Sequence, residues 1–239
     1  MSLIRHIPNS ITSCNLLCGA LGVVLALRGQ VDIAFPLMLA AAVFDFCDGY
    51  AARLLQAYSP IGKELDSLAD MISFGLLPSV LLVETMQLHG VTGWPSFLPL
   101  LLAVMSGLRL AKFNVDERQT TDFLGLATPS AAMICGSLSY FVAVHPGTFL
   151  DGWAASVWVL PLMAVVLGLL LLTEIPMFGM KVAPGHKLLD TKRIVFLAFA
   201  LCCCILIPAL HGNWSLIVLA VFSFYVLENL FLAAFPARN

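Results

Sequence analysis

The sequence predicts an all-α integral membrane protein with about eight transmembrane helices. Three observations carry that expectation. Of 239 residues, 60% are hydrophobic and 11% charged, with a mean hydropathy of +0.97, a balance that excludes a soluble globular domain of this length. The apolar runs reach the roughly 20 residues that a membrane-crossing helix needs. The apolar-polar alternation of barrel strands is absent, which leaves helices as the way to satisfy the backbone in lipid.

The spans follow in order along the chain. The first is expected over 11–28, after Pro8 and Asn9; it is read as a retained helix, because its flank lacks a clear small-residue cleavage site. The second, 32–56, and the third, 62–88, are separated by a short polar turn near Gln56 to Ile61, which makes them antiparallel neighbours. The turn-rich stretch HGVTGWP at 89–95 introduces the fourth, 96–113, and the loop from Arg109 to Thr128 leads to the fifth, 127–145. HPGTFLDG at 145–152 precedes the sixth, 153–178, and HGN at 211–213 separates the seventh, 190–209, from the eighth, 214–235.

Eleven of the twelve lysines and arginines fall at helix ends sharing one side, Arg28 being the exception. The positive-inside rule therefore puts both termini and the even-numbered loops in the cytoplasm of a multi-pass inner-membrane protein. The net charge of −2 carries little meaning when charges are sorted by membrane side. Cys14, Cys18, Cys47, Cys135 and Cys202 to Cys204 form no CxxC pair and read as small apolar filler, with Cys47 turned away from the carboxylates on either side of it. The five histidines lie in loops or near helix ends without metal-ligand spacing, and Trp94, Trp153 and Trp214 read as an interface belt.

Chemistry concentrates in the second and third spans, as Asp45, Asp48, Gly49, Ala52, Arg53, Gly62, Asp66 and Asp70, a DxxDGxxARx8Gx3Dx3D pattern. A central Asp costs roughly 2.5 to 3.5 kcal/mol to insert, so four cost on the order of 10 kcal/mol, and one Arg cannot neutralise them. At 100° per residue the second-helix members share one face, while Gly62, Asp66 and Asp70 form a stripe on the third. Counting outward from the turn at about 1.5 Å per residue brings Asp45 to the depth of Asp70 and Asp48 to that of Asp66. Four converging carboxylates repel strongly, since unit charges about 4 Å apart interact by about 4 kcal/mol at an effective dielectric of 20. Protonation of two is one escape; divalent ions, for which hard oxygen donors suit Mg²⁺ or Mn²⁺, are the other. Gly49 and Ala52 leave room for a ligand, and Arg53 offers the planar donor fork that grips phosphate.

Those eight positions match every fixed position of the CDP-alcohol phosphotransferase signature, and the chain resembles that family. The resemblance implies two divalent cations, held by Asp45, Asp48, Asp66 and Asp70, that bridge the pyrophosphate of a CDP-linked donor. It also implies that Asp70 takes the acceptor's proton, and that Asp48, Gly49, Ala52, Arg53, Gly62 and Asp66 surround the nucleotide. A six-helix family core over 1–178, followed over 179–239 by a cytoplasmic loop and two further helices, is the implied division, and a homodimer the implied assembly. Within the family, ELDSLADMISFGLLP at 64–78, LRLAKFN at 108–114, GLATPSAA at 125–132 and PNSITSCNLLCG at 8–19 resemble the branch that moves a phosphatidyl group from CDP-diacylglycerol to L-serine and releases CMP. Ala127 departs from that branch, where Pro is commoner.

A zwitterionic acceptor needs a cation for its carboxylate, and Arg109, Lys112, Asn114, Arg118 and Thr128 are the candidates. Acceptors bearing a phosphate would also favour those cations, so the sister enzymes that make phosphatidylglycerophosphate or phosphatidylinositol phosphate are the nearest alternatives. An ion-coupled transporter, the competitor from another class, predicts acids spread through the bilayer depth, whereas these cluster near one side. Membrane lipids are expected partners and nucleic acid is not. A purely structural hairpin fails, because the acids exceed the lone motif Arg by three.

Overall fold

A computed structural model describes residues 6–115, 123–178 and 191–235. α1 (Ile7–Ala26) and α2 (Val31–Leu54) form a hairpin. Pro8 sits in the first turn of α1, where a missing N–H costs nothing. The buried residues of α1, Pro8, Thr12, Asn15, Gly19, Gly22 and Ala26, recur every three or four positions and so make one stripe. Its small side chains let neighbouring helices come close: a Cβ on Gly22 would lie 2.6 Å from Leu77 Cδ2.

α3 (Pro60–Asp70) begins at Ser59, whose hydroxyl accepts from the Gly62 N–H at 3.0 Å, a cap that satisfies one orphan donor of the first turn. It runs through a π-helical turn, Met71–Leu76, into α4 (Leu77–Leu88), making one apolar rod of 29 residues. The wider turn has a local cause. Pro78 cannot donate to the carbonyl of Phe74 four residues before it, and its ring would crowd that carbonyl; an i to i+5 register relieves both.

A 3₁₀ turn, Trp94–Leu100, opens α5 (Leu101–Val115), and α6 (Thr128–Val144) follows after the two-residue strand β1 (Phe123–Leu124). Thirteen of the seventeen α6 residues are buried, so α6 is the central post. One apolar cluster packs its Ala131, Cys135 and Leu138 with α4, α5, α8 and α10; the other packs its Ala132 and Met133 with α1, α2 and α4. A short α7 (Phe149–Ala154) precedes α8 (Val159–Leu172), and strand β2 (Pro176–Met177) pairs antiparallel with β1. α9 (Thr191–Ala209) and α10 (Trp214–Ala234) form the last hairpin. Trp214 stacks on Phe35 of α2 at 5.7 Å and tilts against Tyr140 of α6 at 4.9 Å, so it anchors α10 besides standing near a helix end.

The eight expected spans each find a helical counterpart, and among the described residues five helices are long and apolar enough to cross a membrane. The chain is a multi-pass membrane protein. α2 has 24 residues, enough for about 36 Å, and its aspartates are what make it less apolar. The sixth span needs correction. Expected over 153–178, it is a 14-residue helix ending at Leu172. Pro161 fits only the first turn of a helix, so α8 cannot run unbroken from 153. Pro176 forces the residue before it out of helical geometry, and Thr173 is already extended, with ψ 159. Residues 173–178 instead form a strap across the chain entering α6.

Candidate metal centre and substrate site

The α2–α3 hairpin brings the motif acids together as the helical spacing requires. One carboxylate oxygen each from Asp45, Asp48 and Asp66 lies within 4.8 Å of the others. Asp70, one turn further along α3, contacts Asp45 rather than joining that compact group. Asp48 Oδ2, Asp66 Oδ1 and Asp70 Oδ1 are buried and accept no hydrogen bond from any described residue. An all-oxygen anionic set with buried, undonated atoms fits a hard divalent cation, and the three carboxylates are placed to hold one.

Beside the acids opens a cavity of about 350 Å³ lined by Asp48, Gly49, Ala52, Arg53, Gly62 and Asp66 together with Pro8, Asn9, Thr12, Tyr58, Ser59 and Lys63. Every residue expected around the nucleotide borders this one space. Gly49 faces it with a hydrogen where a Cβ would meet nothing closer than Arg53 Nη2 at 3.8 Å. Arg53 donates from Nε to the Gly49 carbonyl at 2.9 Å, which steadies the exposed guanidinium on the cavity wall. At Gly62 a Cβ would lie 2.8 Å from Asn9 Oδ1 and 2.9 Å from Ser59 Oγ, so this glycine is needed for α1 to close the cavity.

The α1 wall is not among the site residues expected from the sequence. Asn9 and Thr12 line the cavity, and Thr12 lies against the Asp48 carboxylate. The signal was present as a polar and small stripe, Pro8, Thr12, Asn15, Gly19, in an otherwise apolar helix. Deeper on the same stripe, Ser73 in the π-helical turn donates to Asn15 Oδ1 at 2.7 Å.

The acceptor candidates divide. Arg109 is buried, donates from Nη1 to the Thr128 hydroxyl at 3.1 Å and has Asp70 within electrostatic reach. Its Nε is also buried and donates to no described residue. Lys112 pairs instead with Glu174 at 3.0 Å on an exposed surface. Asn114 ties α5 to α3, donating to Ser67 Oγ at 2.9 Å and accepting from Lys63 Nζ at 3.0 Å. Arg118 lies outside the described residues, as do Arg5, Lys181, Lys187 and Arg238 of the topology argument. Cys47 is exposed.

Residues 5–170 match the family described as CDP-alcohol phosphatidyltransferase, and the chain belongs to that family. It is similar to the CDP-diacylglycerol--serine O-phosphatidyltransferase of Mycobacterium bovis, 31% identical over 222 residues that cover 90% of this chain and 75% of that protein. It is 35% identical to the protein of the same name from Bacillus subtilis over 57% of this chain and 76% of that one. The archaetidylserine synthase of Methanothermobacter thermautotrophicus is 35% identical over 55% of this chain and 56% of its own length.

Proposed function

We propose that this chain transfers the phosphatidyl group of CDP-diacylglycerol to the hydroxyl of L-serine, forming phosphatidylserine and CMP. The observation that carries the reading is the juxtaposition of three clustered carboxylates, a cavity bounded by the whole nucleotide motif, and the buried Arg109–Thr128 pair reaching toward Asp70. Relatives named for serine transfer, similar over most of the chain, support the choice of acceptor.

In this reading Asp45, Asp48 and Asp66, with Asp70 as the fourth ligand, hold two divalent ions, Mg²⁺ or Mn²⁺. Bound there, the ions supply charge neutralisation for the phosphoryl oxygens and the leaving group. Arg53 and the open faces of Gly49 and Ala52 seat the donor's cytidine diphosphate. Arg109, held by Thr128, takes the serine carboxylate and so orients the hydroxyl. The serine oxygen attacks the phosphorus that carries diacylglycerol, its proton passes to Asp70, and the bond to the CMP phosphate breaks. The donor's acyl chains stay in lipid while its head group enters between helices.

The sorting of positive charge supports a site and both termini on the cytoplasmic side of the inner membrane. The division at residue 178 is part of the same proposal, supported by a family match that ends at residue 170, and the homodimer implied by the resemblance goes with it. The test is direct. Purified protein in detergent, with CDP-diacylglycerol and a divalent ion, is offered serine, glycerol 3-phosphate and inositol phosphate in turn. CMP release with serine alone is expected, and release with another acceptor alone moves the chain to a sister enzyme.

A further inference from the structure

The last hairpin grips one residue of the strap with unusual completeness. Phe178 donates its N–H to Asn229 Oδ1 at 2.9 Å, and its carbonyl accepts from the Tyr225 hydroxyl at 3.0 Å. The two α10 side chains are one turn apart, so a single helix face satisfies both main-chain groups of Phe178. Asn229 is 2% exposed and turns its Nδ2 back to the Tyr225 carbonyl at 2.8 Å, which leaves neither end of its amide unpaired. A buried amide in an apolar helix is costly without such partners. The rings of Phe178, Phe196 and Tyr225 close a triangle with centroids 5.3 to 6.0 Å apart.

The far edge of the strap is bonded just as closely to the chain that enters α6. Phe123 and Leu124 pair with Met177 and Pro176, the Gly125 N–H donates to Ile175 O at 2.9 Å, and the next residue, Leu126, donates its N–H to Leu170 O at the end of α8 at 2.9 Å. Gly125 has φ +77, and a Cβ there would lie 2.6 Å from the Thr173 carbonyl, so no other residue fits this crossing. Only Ala127 then separates Leu126 from Thr128, the partner of Arg109. The first strap residue also reaches that arginine: Thr173, with Leu124 of β1 and Leu172 at the end of α8, bounds a small pocket with Arg109 and Lys112.

We infer that Tyr225 and Asn229 are positioning residues for the acceptor, acting through the strap at Phe178 on Thr128 and Arg109. The inference rests on the acceptor role given above to Arg109, and it gives the C-terminal hairpin a part in selecting the substrate. The donor side, built from α1, α2 and α3, is untouched by this route.

The experiment measures KM for serine, KM for CDP-diacylglycerol and kcat in Tyr225→Phe, Asn229→Leu and Thr128→Val, with thermal stability read on each purified protein. Tyr225→Phe keeps the ring packing and removes one hydrogen bond, so it separates positioning from folding. Serine KM is expected to rise about fivefold in Tyr225→Phe and more in Asn229→Leu, with the donor KM within about twofold of the parent. In a Thr128→Val background the further effect of Tyr225→Phe should fall below about twofold, as shared routes are non-additive. A fall in kcat or stability with serine KM unchanged overturns the inference, and so does full additivity with Thr128→Val. Should the parent protein release CMP only with glycerol 3-phosphate or inositol phosphate, the proposed function fails, and the same KM comparison made with that acceptor still decides the role of Tyr225.

Discussion

Ser73 and Asn15 are both fully buried, and the Ser73 hydroxyl reaches Asn15 Oδ1 at 2.7 Å and the Asn15 carbonyl at 3.2 Å. This pair fastens α1 to the π-helical turn that starts directly after Asp70, and Gly19 makes the approach possible: a Cβ there would lie 2.9 Å from Ser73 Cα. Backbone cannot swing aside as a side chain can. Gly19→Ala is therefore expected to cost about 1 to 3 kcal/mol through overpacking, visible as a lowered midpoint of thermal unfolding in detergent. Ser73→Ala in the same chain should return only part of that loss, because the clash with the Ser73 backbone persists.

Gly62→Ala should act on the donor. Its new Cβ would push against Asn9 Oδ1 and Ser59 Oγ, moving the start of α1 away from the cavity and disturbing the cap of α3. The KM for CDP-diacylglycerol is expected to rise about tenfold, corresponding to about 1.4 kcal/mol, while the KM for serine stays near the parent value. Steady-state CMP release with each substrate varied in turn checks it; an effect confined to serine would place Gly62 on the wrong side of the site.

The motif was readable because its physics is local to two helices and one turn: period and rise alone carry Asp45, Asp48 and Asp66 to one place, and the structure has them within 4.8 Å. Asp70 stands slightly apart because it lies one turn beyond Asp66 on α3, and the π-helical turn that follows it at Met71 left only a faint trace in the sequence, Pro78. The acceptor side was less legible. Arg109, Lys112 and Asn114 are neighbours in sequence, yet a helix points them in different directions, and only tertiary contacts decide that Arg109 meets Thr128 while Lys112 meets Glu174. The strap falls inside the sixth expected span because apolar content masks a short strand pair, although Pro176 marks the break.

That divergence makes a paired test. The Lys112–Glu174 bridge is exposed, with side chains 45% and 59% accessible, and such pairs contribute about 0 to 1 kcal/mol. Lys112→Ala should change serine KM by less than about twofold at that energy scale. Arg109→Lys keeps the charge but loses the planar fork that reaches Thr128, and serine KM should rise more than about tenfold, the loss of a charge-assisted bond. Equal effects from the two variants would show that charge near the site matters and placement does not.

Metal dependence separates the roles of the acids. Asp48 Oδ2 and Asp66 Oδ1 are buried and meet no donor among the described residues, so chelation by EDTA should abolish CMP release, and added Mg²⁺ or Mn²⁺ should restore it. Asp48→Asn removes one charged oxygen from the compact group, and the metal concentration for half activity should rise about tenfold or more, the loss usual for a weakened metal shell. Asp70→Asn differs, since Asp70 contacts Asp45 without joining that group. Turnover should drop by about two to four orders of magnitude, the range of general-base catalysis, and saturating metal should not recover it. Full recovery at high metal would make Asp70 a ligand only, and the proton would then need another acceptor.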